Sequence, residues 1–208
     1  MSPMTSSLTL VATLACLLVG TWSVAAHDAP TTTRPAQAPL PPALPEPSAS
    51  PHPYFPDVLL IDQDGKERRL YSDLLKGKVI VMHSLFTQCE ASCPVVVATF
   101  ARLQQWLGER LDKKVHLLSV SVDPETDTPA RLKAYAEQFG AKPGWYFLTG
   151  KKSHIDWVLY KLGHYVETRE EHRNIIIVGN EPTGLWKKVF GLAAPDEIIR
   201  LLEGVLHD

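Results

Sequence analysis

Strand-length apolar runs that alternate with amphipathic segments constrain the fold of this chain more than any other feature. The runs at 77–86 (GKVIVMHSLF) and 113–123 (KKVHLLSVSVD) are almost continuously apolar, which is typical of strands buried on both faces. Each run is followed by a segment with helical periodicity, at 94–111 and at 128–140. This alternation predicts an α/β domain in which helices cover both faces of a central sheet.

Hairpin signals lie at both ends of the same region. The dipeptide Asp64-Gly65 lies between apolar flanks within 58–70 and predicts a tight turn between two strands. Residues 174–191 predict a second strand, turn and strand unit. A further strand and two further helices are expected at 144–150, 152–163 and 194–206.

Capping residues predict where two of the helices begin. Thr128 followed by Pro129 predicts the start of the helix that Gly140 ends. Ser153 is the candidate cap of the helix at 152–163.

Cys89 and Cys93 lie between the first buried strand and the helix that Pro94 begins, which is a thioredoxin-like arrangement. Proline disfavours helical geometry at the residue before it, so the cysteine loop is expected to precede the helix. Exposed amides and the helix dipole favour a thiolate there, so at least one cysteine is expected to have a lowered pKa. The pair could be a structural disulfide, a redox dithiol or part of a metal site. A bridge over so short a loop stabilises little, which favours reversible use.

A metal site would need a third ligand, and His172 is the strongest candidate among the eight histidines. It lies in a polar stretch just before an apolar strand, where its side chain could reach over the cysteine loop. His116 is expected to be an ordinary strand histidine. His83, His154 and His164 are ambiguous, because a single histidine is more often hydrogen-bonded or exposed than a ligand.

Residues 1–26 are expected to be a signal peptide or a single-pass membrane anchor. The segment 8–26 has no charged side chain and ends in small residues, but it is also long enough to span a bilayer. Residues 27–56 contain ten prolines and predict a semi-rigid, extended linker. The folded domain is expected at 57–208. It is expected to be exported, either periplasmic or anchored in the inner membrane on the non-cytoplasmic side.

The net charge argues against nucleic-acid binding, and the spacing of the acidic residues argues against a calcium-binding loop. The chain has 21 Lys and Arg residues against 23 Asp and Glu, a formal net charge of -2, so it lacks the basic excess that nucleic-acid binding requires. The acidic segment at 123–129 (DPETDTP) lacks the ligand count and spacing of a calcium loop. A turn followed by a helix cap is expected there.

Four segments together resemble the SCO/SenC family of copper proteins associated with cytochrome c oxidase assembly. They are DQDGK at 62–66, the CxxxCP loop with its preceding strand, SVSVDPETDTPARLKAYAEQFG at 119–140, and EEHRNIIIVGNEPTGLWKKVFG at 170–191. The resemblance runs over nearly all of the region 57–208. It implies a thioredoxin-like (redoxin) fold.

The resemblance also implies that Cys89, Cys93 and His172 bind copper. The surrounding residues differ from the common family pattern, since Gln88 stands where histidine is common and Glu171 replaces an aspartate. The partners that the family implies are a respiratory oxidase copper-site subunit or another copper chaperone, with a thioredoxin-like protein as a reductant.

Copper binding is therefore the leading functional hypothesis. Two thiolates and an imidazole form a soft ligand set that suits Cu(I), and Cu(II) if another ligand joins. The expected role is to deliver copper to, or to maintain the thiols of, a respiratory copper site such as that of cytochrome c oxidase. The alternative is a metal-free thiol-disulfide oxidoreductase in which Cys89 attacks and Cys93 resolves. A zinc site with an open position ranks third.

Overall fold

The computed structural model describes residues 52–208, which form a seven-stranded mixed sheet with helices packed against it. The strands are β1 (Leu59–Asp62), β2 (Glu67–Arg69), β3 (Val79–Leu85), β4 (Val115–Ser121), β5 (Trp145–Thr149), β6 (Ile175–Asn180) and β7 (Leu185–Phe190). The α-helices are α1 (Cys93–Leu107), α2 (Pro129–Gln138), α3 (Lys152–Leu162) and α4 (Pro195–Leu206). A π-helical turn and two 3-10 turns lie at Leu70–Leu75, Gly108–Arg110 and Arg169–Glu171.

The order of strands across the sheet is β2-β1-β5-β4-β3-β6-β7. The central strands β3, β4 and β5 are parallel, and α1 and α2 form the crossovers between them. The two predicted hairpins complete the sheet with antiparallel pairing, β1-β2 beside β5 and β6-β7 beside β3. The predicted α/β, thioredoxin-like architecture is therefore confirmed.

The central strands are buried on both faces because helices cover both sides of the sheet. Every residue of β3 and β4 is buried. Val81 and Leu117 belong to the core that the sheet forms with α1, α2 and α4. Met82 and Leu118 belong to the core on the opposite face, with α3 and the π-helical turn. This two-sided burial is the physical reason for the continuous apolar runs in the sequence.

Of the two predicted caps, one is confirmed and one is wrong. The side chain of Thr128 accepts a hydrogen bond from the backbone N–H of Arg131 at 3.3 Å and caps α2 as predicted. Ser153 does not cap α3, because the helix already begins at Lys152 and Ser153 lies in its first turn.

Helix α1 begins one residue earlier than the sequence predicts, so the cysteine loop is one residue shorter. Helix α1 begins at Cys93, although Pro94 follows it. The carbonyl of Ser92 accepts the first helical hydrogen bond, from the N–H of Val96 at 3.1 Å, so helical geometry is established before the proline. Pro94 occupies the first turn, where its missing N–H costs nothing.

The predicted signal peptide or anchor at 1–26 and the linker residues 27–51 lie outside the described residues. Among residues 52–208, no helix is both long enough and apolar enough to cross a membrane.

Residues 52–56, the last part of the predicted linker, pack on the domain. Phe55 is 4% exposed, and its ring centroid lies 4.9 Å from that of Trp186. The hydroxyl of Tyr54 donates a hydrogen bond to the carbonyl of Lys161 at 2.5 Å. The packed residues of the domain therefore include some that precede its predicted start at residue 57.

Candidate metal centre

Three segments of the chain meet at one edge of the central sheet. Cys89 lies in the loop after β3, Cys93 is the first residue of α1, and His172 lies between a 3-10 turn and β6. Strands β3 and β6 are antiparallel neighbours, with His83 opposite Ile176, so the end of β3 and the start of β6 lie at the same edge. The sheet topology therefore brings the three predicted ligands together.

The donor atoms lie within reach of a single ion. Sγ of Cys93 is 3.3 Å from Nε2 of His172, and the donor atoms of Cys89, Cys93 and His172 all lie within 4.8 Å of one another. Metal–sulfur bonds of about 2.3 Å and metal–nitrogen bonds of about 2.0 Å place the donors of one ion roughly 3 to 4.6 Å apart. The group can therefore close around an ion with little movement.

Both cysteines are free thiols, and no disulfide joins them. Cys89 is 7% exposed and Cys93 is 1% exposed. The backbone N–H of Cys93 donates to Sγ of Cys89 at 3.4 Å. This is the reduced state that metal ligation requires. A reversible disulfide between the two remains a prediction for the oxidised protein.

The two thiols differ in acidity. Burial alone raises the pKa of Cys89, but hydrogen bonds from the Cys93 thiol and from the N–H groups of Cys93, Ala91 and Ser92 outweigh it and leave that pKa below the ordinary value. Burial, together with the hydrogen bond to Cys89, raises the pKa of Cys93 to about 12. Cys89 is therefore the more acidic of the two thiols, in agreement with the predicted effect of the helix start.

A hydrogen bond orients the His172 ring toward the cysteines. Nδ1 of His172 lies 3.0 Å from the carbonyl oxygen of Arg169. A carbonyl only accepts, so Nδ1 carries the proton and Nε2 presents its lone pair toward Cys93. The ring of Phe86 packs edge-on against the imidazole with centroids 5.2 Å apart. Such support is what a metal-ligating histidine usually has.

Asp127 fixes the residues in front of the cysteines, a role that the sequence analysis missed. Its fully buried carboxylate accepts hydrogen bonds from the N–H and the hydroxyl of Thr87, at 3.1 and 2.5 Å, and from the hydroxyl of Ser121 at 2.6 Å. The N–H of Asp127 also closes the predicted turn on the carbonyl of Asp123 at 2.9 Å. The available signal was position: β3 and β4 are parallel, so residues that follow their carboxyl ends lie at the same edge.

Four other histidines of the domain form hydrogen bonds away from the cysteines. They pair as His83 with Ser119, His116 with Leu74, His154 with Leu59 and His164 with Ser84. Burial lowers the pKa of His83 to about 3 and that of His164 to about 4, so both are neutral packing groups at physiological pH. Of the candidates named from the sequence, His172 is the one that lies with the cysteines.

The donor set restricts which ions the site could hold. Two thiolates and an imidazole are soft ligands that suit Cu(I), and zinc also accepts two cysteines and a histidine. The residues therefore fit a copper ion of low coordination number.

Comparison with known proteins places this site in a family context. A family model described as SCO1/SenC matches residues 48–191. The SCO1 protein homolog of Bacillus subtilis is 43% identical over 91 residues, which cover 43% of this chain and 45% of that relative. The chain thus spans about half the length of this relative, and likewise 52% of a second curated relative.

Solved structures match over most of the domain. One of them is BsSco, a member of the Sco family of cytochrome c oxidase assembly proteins. A disulfide switch was identified in BsSco. It is 30% identical with a TM-score of 0.60, and the match covers 71% of this chain and 90% of the BsSco chain. ScoI of Bradyrhizobium japonicum with copper bound is 28% identical with a TM-score of 0.58 and covers 71% and 96%. Since the family model covers more than half of the sequence, the chain belongs to the SCO1/SenC family.

Proposed function

We propose that this protein binds copper through Cys89, Cys93 and His172 and delivers it to, or maintains the thiols of, a respiratory copper site such as that of cytochrome c oxidase. The observation that carries the proposal is the group of two buried thiols and one oriented imidazole, with donors within 4.8 Å of one another. The copper-bound structure of the Bradyrhizobium relative and the assembly role of the family of BsSco support it.

Competitive titration tests the three-ligand site. Reduced protein is titrated with Cu(I) against a chelator of known affinity, and His172→Ala is compared with His207→Ala, which removes a histidine from the chain terminus. Loss of the third ligand is expected to weaken binding by at least about 100-fold, since changes to supporting residues alone cost 10–100-fold. Equal affinities for the two variants would rule out the three-ligand site.

The second candidate function is thiol-disulfide exchange without metal. The lowered pKa of Cys89, its contact with Cys93 and the disulfide switch of BsSco favour it. The Cys89 thiolate would attack a partner disulfide and release one partner thiolate. Cys93 would then displace the second partner sulfur, which leaves a Cys89–Cys93 disulfide and a reduced partner dithiol. Ligation needs both thiols, so this oxidation would release a bound ion.

A trapping experiment separates the two roles. In metal-free protein, Cys93→Ser should accumulate a mixed disulfide through Cys89 when it meets an oxidised thioredoxin-like partner or an oxidised copper-site domain. If no mixed disulfide forms while the parent transfers copper to the same domain, the oxidoreductase function is rejected.

For location, we propose that the site faces the non-cytoplasmic side of a membrane, with 27–51 as a spacer after the signal or anchor at 1–26. The proline-rich composition of the spacer supports this, because an extended tether raises the effective concentration of a donor near a membrane-bound recipient. Cell fractionation tests it, and a cytoplasmic location would reject it.

A further inference from the structure

Arg169 links the segment that carries the histidine ligand to two other segments of the site. Its Nη1 donates to Oδ2 of Asp123 at 2.5 Å and to Oε1 of Gln88 at 3.0 Å. The guanidinium carbon lies 5.5 Å from the centroid of the Phe86 ring, within the range of a cation–π contact. Nε donates to the neighbouring Glu170 at 2.9 Å. One side chain thus joins the 3-10 turn to the cysteine loop and to the turn between β4 and α2.

The backbone of the same residue holds the imidazole. The carbonyl of Arg169 accepts hydrogen bonds from the N–H of His172 at 3.3 Å and from its Nδ1 at 3.0 Å. Phe86 contacts both the guanidinium and the His172 ring. Any displacement of Arg169 would therefore carry the acceptor of the imidazole with it.

The contacts of Arg169 differ from those of an ordinary surface ion pair. The side chain of Arg169 is 36% exposed and that of Asp123 is 15% exposed, so the pair is partly buried. The guanidinium donates from Nη1 to acceptors on two segments, donates from Nε to Glu170 and lies over the Phe86 ring. Its planar fork holds these directions together, which the ammonium group of lysine reproduces less well. Its effect is therefore local to the turn that carries His172.

We propose that Arg169 is a positioning residue that holds His172 over the cysteine pair and so sets how strongly the third ligand contributes to metal binding. The inference rests on the proposed copper function. In this proposal the two thiols have a fixed geometry, whereas His172 is held in place through the contacts of Arg169 with Asp123 and Gln88.

The first test is Cu(I) affinity with a matched control. Arg169→Ala is compared with Arg102→Ala, which removes an exposed arginine of α1 whose nearest carboxylate, on Asp196, is 3.9 Å away. We expect Arg169→Ala to weaken binding by about 10-fold or more and Arg102→Ala to leave it unchanged. Arg169→Lys should lie between the parent and Arg169→Ala. In a His172→Ala background, Arg169→Ala should cause no further loss, because a positioning residue acts through the ligand.

The second test needs no metal. Amide hydrogen exchange of metal-free protein should be several-fold faster at 169–174 in Arg169→Ala, with the amides of β3 unchanged. The inference is overturned if Arg169→Ala matches Arg102→Ala in both affinity and exchange, or if it weakens binding equally with and without His172. Failure of the copper function would appear separately, as equal affinity of His172→Ala and His207→Ala, and exchange in the metal-free protein would still decide whether Arg169 holds the turn.

Discussion

The two halves of the site are built in different ways. The cysteine half rests on buried groups, with Cys93 1% exposed and the supporting carboxylate of Asp127 fully buried. The histidine half directly follows a 3-10 turn with no buried residue, and it is held by Arg169, whose side chain is 36% exposed. The supporting carboxylates of the two halves, Asp127 and Asp123, lie four residues apart on the same turn.

This difference indicates how such a site could both bind and release an ion. Buried hydrogen-bonded groups specify a single geometry, whereas contacts at the surface open at low free-energy cost. The thiol pair is therefore expected to persist in one arrangement while the imidazole can leave. An ion would then lose its third ligand before it loses its thiolates, which suits transfer to a partner site.

Among the variants that test the difference between the two halves, Asp127→Ala is expected to have the largest effect. Asp127→Ala leaves the N–H and hydroxyl of Thr87 and the hydroxyl of Ser121 without their acceptor, so we expect the free energy of unfolding to fall by about 3 kcal/mol. Denaturant titration measures this change. Asp196→Ala, at an exposed carboxylate, should stay within about 0.5 kcal/mol of the parent.

Asp127→Asn keeps the size of the side chain and one acceptor oxygen, so it provides a second measurement if the alanine variant does not fold. If the free energy of unfolding falls by less than about 1 kcal/mol in both variants, the cysteine half is not held more strongly than the histidine half.

The second-largest effect is expected in the alkylation rates of the two thiols in the cysteine half. Because the pKa of Cys89 is lowered and that of Cys93 is raised to about 12, Cys89 should be alkylated by iodoacetamide at least about ten times faster at pH 7. As the pH rises, the rate at Cys89 should level off at a lower pH than the rate at Cys93, because its pKa is the lower of the two. Peptide mass spectrometry gives both rates.

Unfolded protein in urea supplies the control for that experiment, since both thiols should react alike there. Equal rates in the folded protein would contradict the acidity difference and remove the assignment of Cys89 as the attacking thiol.

The core of the fold was predictable because it depends on local periodicity. The buried strands β3 and β4 and the cap at Thr128 follow from runs and spacings of a few residues. His172 could be proposed because a polar stretch before an apolar strand is also a local pattern. The wrong cap at Ser153 arose from the same method, since a serine near a helix start does not reveal which residue begins the helix.

The support of the site was not predictable because it depends on contacts between distant segments. Thr87 and Asp127 are 40 residues apart, and Arg169 and Gln88 are 81 residues apart. Periodicity determines which face of an element is buried, but not which polar side chains meet where two elements end. The acidic segment could therefore be interpreted as a turn and a cap, while its role under the cysteine loop required the register of the sheet.

The smallest expected effect concerns Tyr135 in the core beside the cysteines. Its hydroxyl is buried, and among residues 52–208 it has no hydrogen-bond partner. Tyr135→Phe removes a desolvated group that gains nothing in return, so the free energy of unfolding should change by less than about 0.5 kcal/mol or rise slightly. Tyr146→Phe is the matched control, because that hydroxyl donates to Asp112 at 3.0 Å and its loss should cost about 1 kcal/mol. If Tyr135→Phe costs as much as the control, the hydroxyl has a partner in solution, and the cysteine half contains a polar contact beyond those of Asp127.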